Sequence, residues 1–276
     1  VRALLVQVTT GTDPVQNRDT IVEAVAAAVA GAGGAGSCDL VVLPEAVQAD
    51  FGTGDPPPAA VAEPLDGPFT RLLAGLARDA RATVVAGMFE SPSYPPSDAP
   101  EEDGRPTNTL LAVDPSGARV ATYRKVHLYD AFGYRESDLL AGGAVQAVTL
   151  EVAGWTVGLM TCYDLRFPEQ ARALVDAGAD LVVVPAAWVR GPGKEHHWAT
   201  LLAARAIENT AYVAGVAKAG SRYCGLTRLL DPMGRVVAGL GEQDGSVAAV
   251  LDRQRVADVR AINPSLSNRR WRVAAR

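Results

Sequence analysis

The sequence predicts an α/β protein in which two sheets face each other and helices cover them on the outside. Three observations predict it. Short continuous apolar runs at residues 39–43 and 180–184 end in proline and read as strands buried on both faces, as helix-covered sheets require. Strand-like runs alternate with segments of helix composition, many of them rich in alanine. The parts also come twice: S-C-D-L-V-V-L-P at 37–44 returns as G-A-D-L-V-V-V-P at 178–185, and the turn D-P-S-G at 114–117 returns as D-P-M-G at 231–234. Two half-chains with the same parts suggest a pseudo-two-fold pair of sheets. A chain of 276 residues, 48% hydrophobic and 21% charged, suits one substantial core, so a single domain over residues 1–276 is expected.

Taken in order, residues 4–8 read as a first strand and 15–30 as an alanine-rich helix stopped by glycines. The strand at 39–43 leaves through Pro44-Glu45, which sets a carboxylate at its exit. A Pro-rich loop at 52–64 leads to a helix at 68–81 and a strand at 83–89. Residues 91–106, dense in proline and charge, belong in an exposed loop. Residues 109–113 and 119–123 make a hairpin that ends at Arg124-Lys125, and the polar connection V-H-L-Y-D-A-F-G-Y-R-E-S-D follows as a long loop beside a strand end. The apolar run from Trp155 reaches Cys162, and a Pro168-led helix start follows within a few residues. That places a thiol at a strand-to-helix corner, with backbone N–H groups and a helix's positive end aimed at it. Beyond it come the strand at 180–184, a helix at 195–209 and a strand at 211–217. The end after Val259 reads as irregular, and the tail from about 255, with Arg269, Arg270 and Trp271, is expected to serve subunit contacts.

A net charge of -5 leaves no basic face for nucleic acid or anionic lipid, and no apolar run nears the roughly 20 residues of a membrane span. The opening R-A-L-L-V-Q-V reads as a strand rather than a signal segment, so a cytoplasmic location is expected. Cys38, Cys162 and Cys224 show neither a disulfide framework nor metal-ligand spacing. Basic residues are mostly arginine, so each of the three lysines, Lys125, Lys194 and Lys218, calls for a reason.

Read singly, Cys162 is a small buried hydrophobe, Glu45 a surface acid at a strand end and Lys125 a solvated charge. Read together, they supply what thiol-dependent amide hydrolysis needs: a nucleophile, a base for its proton and a cation for the oxyanion. All three follow directly on a strand-like run, and reactive groups in open sheets gather at strand ends.

The segments L-P-E at 43–45, Y-R-K-V-H-L at 123–128 and C-Y-D-L-R-F-P-E at 162–169 resemble, in order, the three signatures of the nitrilase (carbon-nitrogen hydrolase) superfamily. H-W at 197–198 and A-R-A-I-E-N at 204–209 extend the resemblance over essentially the whole chain. It implies a four-layer αββα sandwich that assembles as a homodimer or larger homo-oligomer, and chemistry without metal or organic cofactor. It implies Glu45 as general base, Cys162 as nucleophile forming a thioester, and Lys125 with the Tyr163 N–H as oxyanion hole. Glu136 matches a second glutamate that orients the lysine. By the same resemblance His127 orders its loop, while Asp164 and Glu169 brace the corner.

The residues after Cys162 look most like the omega-amidase and deaminated-glutathione amidase branch, which implies a small-molecule amide substrate bearing a carboxylate. Arg166 could hold that carboxylate or make a structural ion pair. Trp188, in a connection longer than that branch usually has, would reshape the pocket, and Arg190 could add a charge. An N-carbamoyl-amide hydrolase and a non-catalytic ligand-sensing scaffold are the alternative readings.

Overall fold

The computed structural model describes residues 1–51, 56–92 and 104–274. Most of the expected 91–106 loop and part of the 52–64 loop therefore lie outside the described residues. In chain order the elements are β1 (Arg2–Gln7), α1 (Pro14–Gly31), β2 (Leu40–Val42), α2 (Pro58–Val61), α3 (Pro68–Ala80), β3 (Thr83–Glu90), β4 (Thr107–Val113) and β5 (Arg119–Arg124). A small hairpin follows, β6 (Asp130–Ala131) and β7 (Tyr134–Arg135). The second half runs through β8 (Thr149–Val152), β9 (Trp155–Leu159), α4 (Pro168–Asp176), β10 (Leu181–Ala186), α5 (Lys194–Asn209), β11 (Tyr212–Ala217), β12 (Arg228–Leu230) and β13 (Val236–Gly239). The chain closes with β14 (Gly245–Val250) and α6 (Arg253–Ile262).

Two six-stranded sheets result, ordered β14-β1-β2-β3-β4-β5 and β13-β12-β11-β10-β9-β8. Each has three parallel strands at its centre, β1-β2-β3 or β9-β10-β11. Each extends by two antiparallel strands on one side and one on the other. The continuous apolar runs are explained by period-2 alternation between two cores. Leu5, Val42 and Val85 point between the sheets, where they meet Val157, Leu159 and Val183. Their neighbours Leu4, Val41 and Val84 face outward onto Ile21 and Val25 of α1 and Phe69 and Leu73 of α3. On the other side Val182 and Val184 pack on Leu174 of α4 and on Trp198 and Leu202 of α5. The layers are therefore α, β, β, α.

The repeated D-P-x-G turns are the same structure. Asp114 Oδ1 accepts from the N–H groups of Ser116 and Ala118, and Asp231 Oδ1 from those of Met233 and Arg235. Gly117 and Gly234 both take positive φ, 84° and 74°, and one register shift marks each hairpin.

Three features differ from expectation. The end after Val259 is not irregular at once: α6 begins at Arg253, with the Asp252 carboxylate capping the Gln254 N–H, and continues to Ile262. Beyond it, Arg269 pairs with Asp176 of α4 in the same chain at 2.5 Å, while Trp271 is exposed. Strands β8 and β14 escaped the sequence reading because they are edges, and half or more of the residues in each lack full burial. Finally, α4 starts at Pro168 as expected, but the N–H groups next to the thiol belong to a 3-10 turn, Cys162–Arg166, that precedes it. The backbone that continues from the thiol is this turn, not the start of α4.

Candidate active site

Glu45 stands on the turn that follows β2 and is fully buried. The turn is pressed onto β3: the Gly87 N–H donates to the Pro44 carbonyl at 3.1 Å, and the Val47 N–H to the Gly87 carbonyl at 3.0 Å. A Cβ on Gly87 would lie 2.4 Å from the Ala46 nitrogen and 2.7 Å from the Glu45 Cα, so only glycine admits this approach. Glu45 Oε2 accepts from the Ala187 N–H at 2.7 Å, just past β10. Its Oε1 accepts from Lys125 Nζ at 2.9 Å and from Asn108 Nδ2 at 2.8 Å.

Lys125 comes one residue after β5 and is also buried. Its ammonium is shared between Glu45 and Glu136, with Glu136 Oε2 at 2.9 Å. Glu136 begins a 3-10 turn just after β7 and also accepts from the Tyr129 N–H at 2.6 Å and from Asn108 Nδ2 at 3.1 Å. Asn108 thus holds both carboxylates, and the sequence reading missed it. A signal was present: an asparagine directly before the strand-like run at 109–113 is disfavoured in a strand unless its side chain has work to do.

Cys162 takes a left-handed backbone conformation, φ 45°, unusual for a residue with a side chain. The corner is braced by Asp164, whose carboxylate accepts from the Thr161 N–H at 2.8 Å, the Tyr123 hydroxyl at 2.6 Å and the His127 N–H at 3.1 Å. The His127 ring lies flat on Phe167, centroids 3.7 Å apart, with Nδ1 2.8 Å from Asp164, which makes it part of this brace. Glu169 is not: it is exposed on the first turn of α4, a favourable end for its charge.

The electrostatics follow from burial and contact. Burial pushes the Glu45 carboxyl up, but Lys125, the Ala187 N–H and the Cys162 thiol outweigh it and hold the group below its ordinary value. Burial also works against the Lys125 charge, and Glu136 with Glu45 reverses this and raises the lysine well above its usual range. Burial first and the Glu45 charge second push the Cys162 thiol well above its ordinary value. The site therefore holds a neutral thiol donating to an ionised carboxylate beside a buried ammonium.

Glu45, Lys125, Glu136 and Cys162 line a cavity of about 530 Å³. Aromatic side chains form much of its wall, and both Arg166 and Trp188 line it. The Arg166 guanidinium lies 5.0 Å from the Trp188 ring centroid, and among the described residues it makes no ion pair. Arg190 is paired with Glu242 at 3.0 Å. Two further residues, Lys194 and Phe132, were not assigned to a site from sequence. His196 and His197 share no ligand geometry, and among the described residues no three His, Cys, Asp or Glu side chains are grouped to hold a metal ion. No helix among the described residues is long and apolar enough to cross a membrane.

Residues 2–261 match the carbon-nitrogen hydrolase family. The chain belongs to that family. It is 42% identical, over 84% of its length and 85% of the relative's, to deaminated glutathione amidase from Escherichia coli O157:H7. Among solved structures it is similar to the CN-hydrolase superfamily protein XC1258 from Xanthomonas campestris, whose active site carries an arsenic adduct. That match has TM-score 0.84 and 29% identity and covers 100% of this chain and 99% of the other. It is also similar to a variant of the amidase from Nesterenkonia sp. AN1 that carries the acetamide moiety of fluoroacetamide on its active-site cysteine. There the TM-score is 0.77 with 26% identity, covering 98% of this chain and 94% of that one. This chain is thus a carbon-nitrogen hydrolase with the nitrilase-superfamily fold.

Proposed function

We propose that the chain is a cysteine-dependent amidase that hydrolyses the terminal amide of a small carboxylate-bearing molecule through a thioester. One observation carries the reading: Cys162, Glu45, Lys125 and Glu136, which come from four separate segments, meet in the wall of a cavity large enough for a small molecule. The names of the relatives support it, since one is a deaminated glutathione amidase and another, an amidase variant, carries the acetamide moiety of fluoroacetamide on its active-site cysteine.

Because the thiol is neutral at rest, its proton leaves as it attacks: Glu45 takes it while sulfur adds to the amide carbon. The oxyanion forms beside Lys125 Nζ and the Tyr163 N–H, the first amide after the nucleophile in the 3-10 turn. Glu45 then gives the proton to the leaving nitrogen, and ammonia departs. Glu45 next deprotonates a water that attacks the thioester, and the carboxylic acid product leaves the thiol restored. Glu136 keeps Lys125 charged and fixed, and Asn108 donates to both carboxylates and holds them in place. Arg166 holds the carboxylate of the substrate; the absence of an ion pair among the described residues supports this use of its charge.

Intact-protein mass spectrometry during turnover of small ω-amides and carbamoyl compounds tests the reading, with Cys162→Ala alongside. An acyl adduct on the wild type alone, with ammonia released, is the expected result. Carbon dioxide released along with ammonia would point to the carbamoyl branch, and an inert thiol with every compound to a ligand-binding scaffold.

A further inference from the structure

Lys218 follows β11 directly, and the mechanism gives it no task. It is fully buried. Its ammonium donates to Asp50 Oδ1 at 3.4 Å and to the Ala49 carbonyl at 3.5 Å, both longer than the roughly 2.7–2.9 Å of a strong charged hydrogen bond. The Tyr223 ring centroid lies 5.5 Å away. Apolar residues of similar size often replace so loosely compensated a buried pair at no cost in stability, so the fold alone does not explain the charge.

Both ends of Lys218 lead to Glu45. Its backbone N–H donates to the Ala186 carbonyl at 2.8 Å, and the other side of that same peptide group, the Ala187 N–H, donates to Glu45 Oε2 at 2.7 Å. Its side chain reaches Ala49 and Asp50, on the turn that carries Glu45. A closed ring results, from Glu45 through the 186–187 peptide to Lys218, on to Asp50 and back along the turn. Within the first half the turn is tied down by Gly87, by Asn17 Nδ2, which donates to the Gln48 carbonyl at 2.9 Å, and by the Asp50 N–H, which donates to the Gly11 carbonyl at 2.7 Å. Links to the second half come from Ala187, from Lys218 and, through Asp50, from Tyr223 and Arg222.

We propose that Lys218 is a positioning residue that acts through Asp50 and the 186–187 peptide to hold Glu45 against Cys162 across the two sheets. This rests on the amidase reading above, in which Glu45 is the base. Attraction between Lys218 and Asp50 draws the ring tight, so the ring holds while the lysine keeps its proton. Asp50 and Glu45 face the ammonium from the turn after β2, and Arg222 and Tyr223 from the connection after β11. Burial, offset in part by Asp50, brings the lysine down to about 8. Cys162, Lys125 and Tyr223 are all raised by their surroundings and keep their protons there. Activity should therefore fall as the pH passes about 8, although the fold gains stability over the same range.

The test follows ammonia release from glutaramate between pH 6 and 10, beside the NMR signal of the Ala187 amide in the same proteins. In wild type, kcat is expected to fall about ten-fold through a limb near 8 with KM little changed, and the Ala187 signal to shift with the same midpoint. Asp50→Asn removes the charge that raises the lysine, so both midpoints should move to lower pH. Lys218→Met should show the low kcat already at pH 7, with neither limb nor shift near 8, while urea unfolding shows it folded. A folding defect alone would lower activity without moving a limb. The proposal is overturned if Lys218→Met keeps the wild-type kcat, if the limb stays in place in either variant, or if the Ala187 signal does not follow the lysine. The amidase reading fails separately, if the Ala187 signal follows Lys218 but wild-type protein releases ammonia from none of the ω-amides and forms no Cys162 adduct; the ring would then stand.

Discussion

The two halves of the molecule share a scaffold and differ in what they put at its strand exits. The runs L-V-V-L-P-E and V-V-V-P-A follow the same course in β2 and β10, yet the first presents Glu45 and the second Ala186 at the matching place. Leu5 of β1 and Leu159 of β9 occupy matching registers, against Val42 and Val183; three residues on, the first half has the core residue Val8 and the second has Cys162. Gly87, two residues past the partner of Val42, corresponds to Val216, two past Ala214, the position facing Val183. Glycine is needed where a carboxylate-bearing turn presses on the strand, and valine fills the space where none does. Each half supplies part of one site. Glu45 and Lys125 come from the first and the Cys162 thiol from the second, with the Ala187 N–H of the second holding the Glu45 carboxylate of the first.

That division can be broken deliberately. The largest effect is expected from Cys162→Ala, which should lower amide hydrolysis by at least about 10³-fold. Cys224→Ala, at a buried thiol in the same half, should lower it far less; comparable losses by ammonia assay would show that position 162 is not the reactive one.

Glu45→Gln should cost roughly 10²- to 10⁴-fold in kcat/KM, the usual range for a general base. In the wild type the Glu45 carboxyl is held below its ordinary value, so it stays an ionised base until the pH falls below the ordinary carboxylate range of about 4.3. The acid limb of the wild-type profile should therefore lie there and disappear in the variant. A wild-type limb well above that range would argue for another base.

Gly87→Ala and Val216→Ala test the matched positions. Both should lower stability by about 1–3 kcal/mol, the first by crowding and the second by leaving a cavity. Only the first should also move Glu45, with a further loss in kcat on the order of 10²-fold. Equal activity in the two variants, compared at temperatures where both are folded, would remove the role given to the Gly87 contact.

The smallest effect concerns Lys218, at the exit of β11. Burial lowers its pKa to about 8 against the Asp50 charge that raises it. Below about 8 both folded and unfolded chains carry the charge, and its burial cost is fully present. Between about 8 and the unfolded value near 10.5 the unfolded chain binds more protons, so stability should rise with pH, by up to about 3 kcal/mol. Urea unfolding at pH 7.5 and 9.5 should show this rise in wild type and a smaller one in Lys218→Met; identical slopes would assign the rise to other groups.

Much of this was legible beforehand because the signals are local. A strand buried on both faces must be apolar throughout, a D-P-x-G turn needs aspartate and a positive-φ glycine, and both patterns appear twice in the chain. The edge strands β8 and β14 were not legible, since their strand character depends on the neighbour that supplies their hydrogen bonds. Helix α6 was missed within a short, charge-rich segment where only Val256 and Val259 are buried. Asn108, Lys194 and Phe132 carried no motif, and each is defined by what it touches: two carboxylates, a tyrosine and two cations.

The sequence by itself determined the strand-and-helix order, the repeated half and the residue types that can perform amide chemistry, because backbone periodicity and side-chain reactivity are properties of the chain. Only the tertiary structure decided that burial and the Glu45 charge push the Cys162 thiol above its ordinary value, that one asparagine holds two buried acids, and that two cations are left facing an aromatic ring. Those outcomes depend on desolvation and on distances of about 3 Å between residues far apart in the chain, and only packing the two sheets face to face sets them.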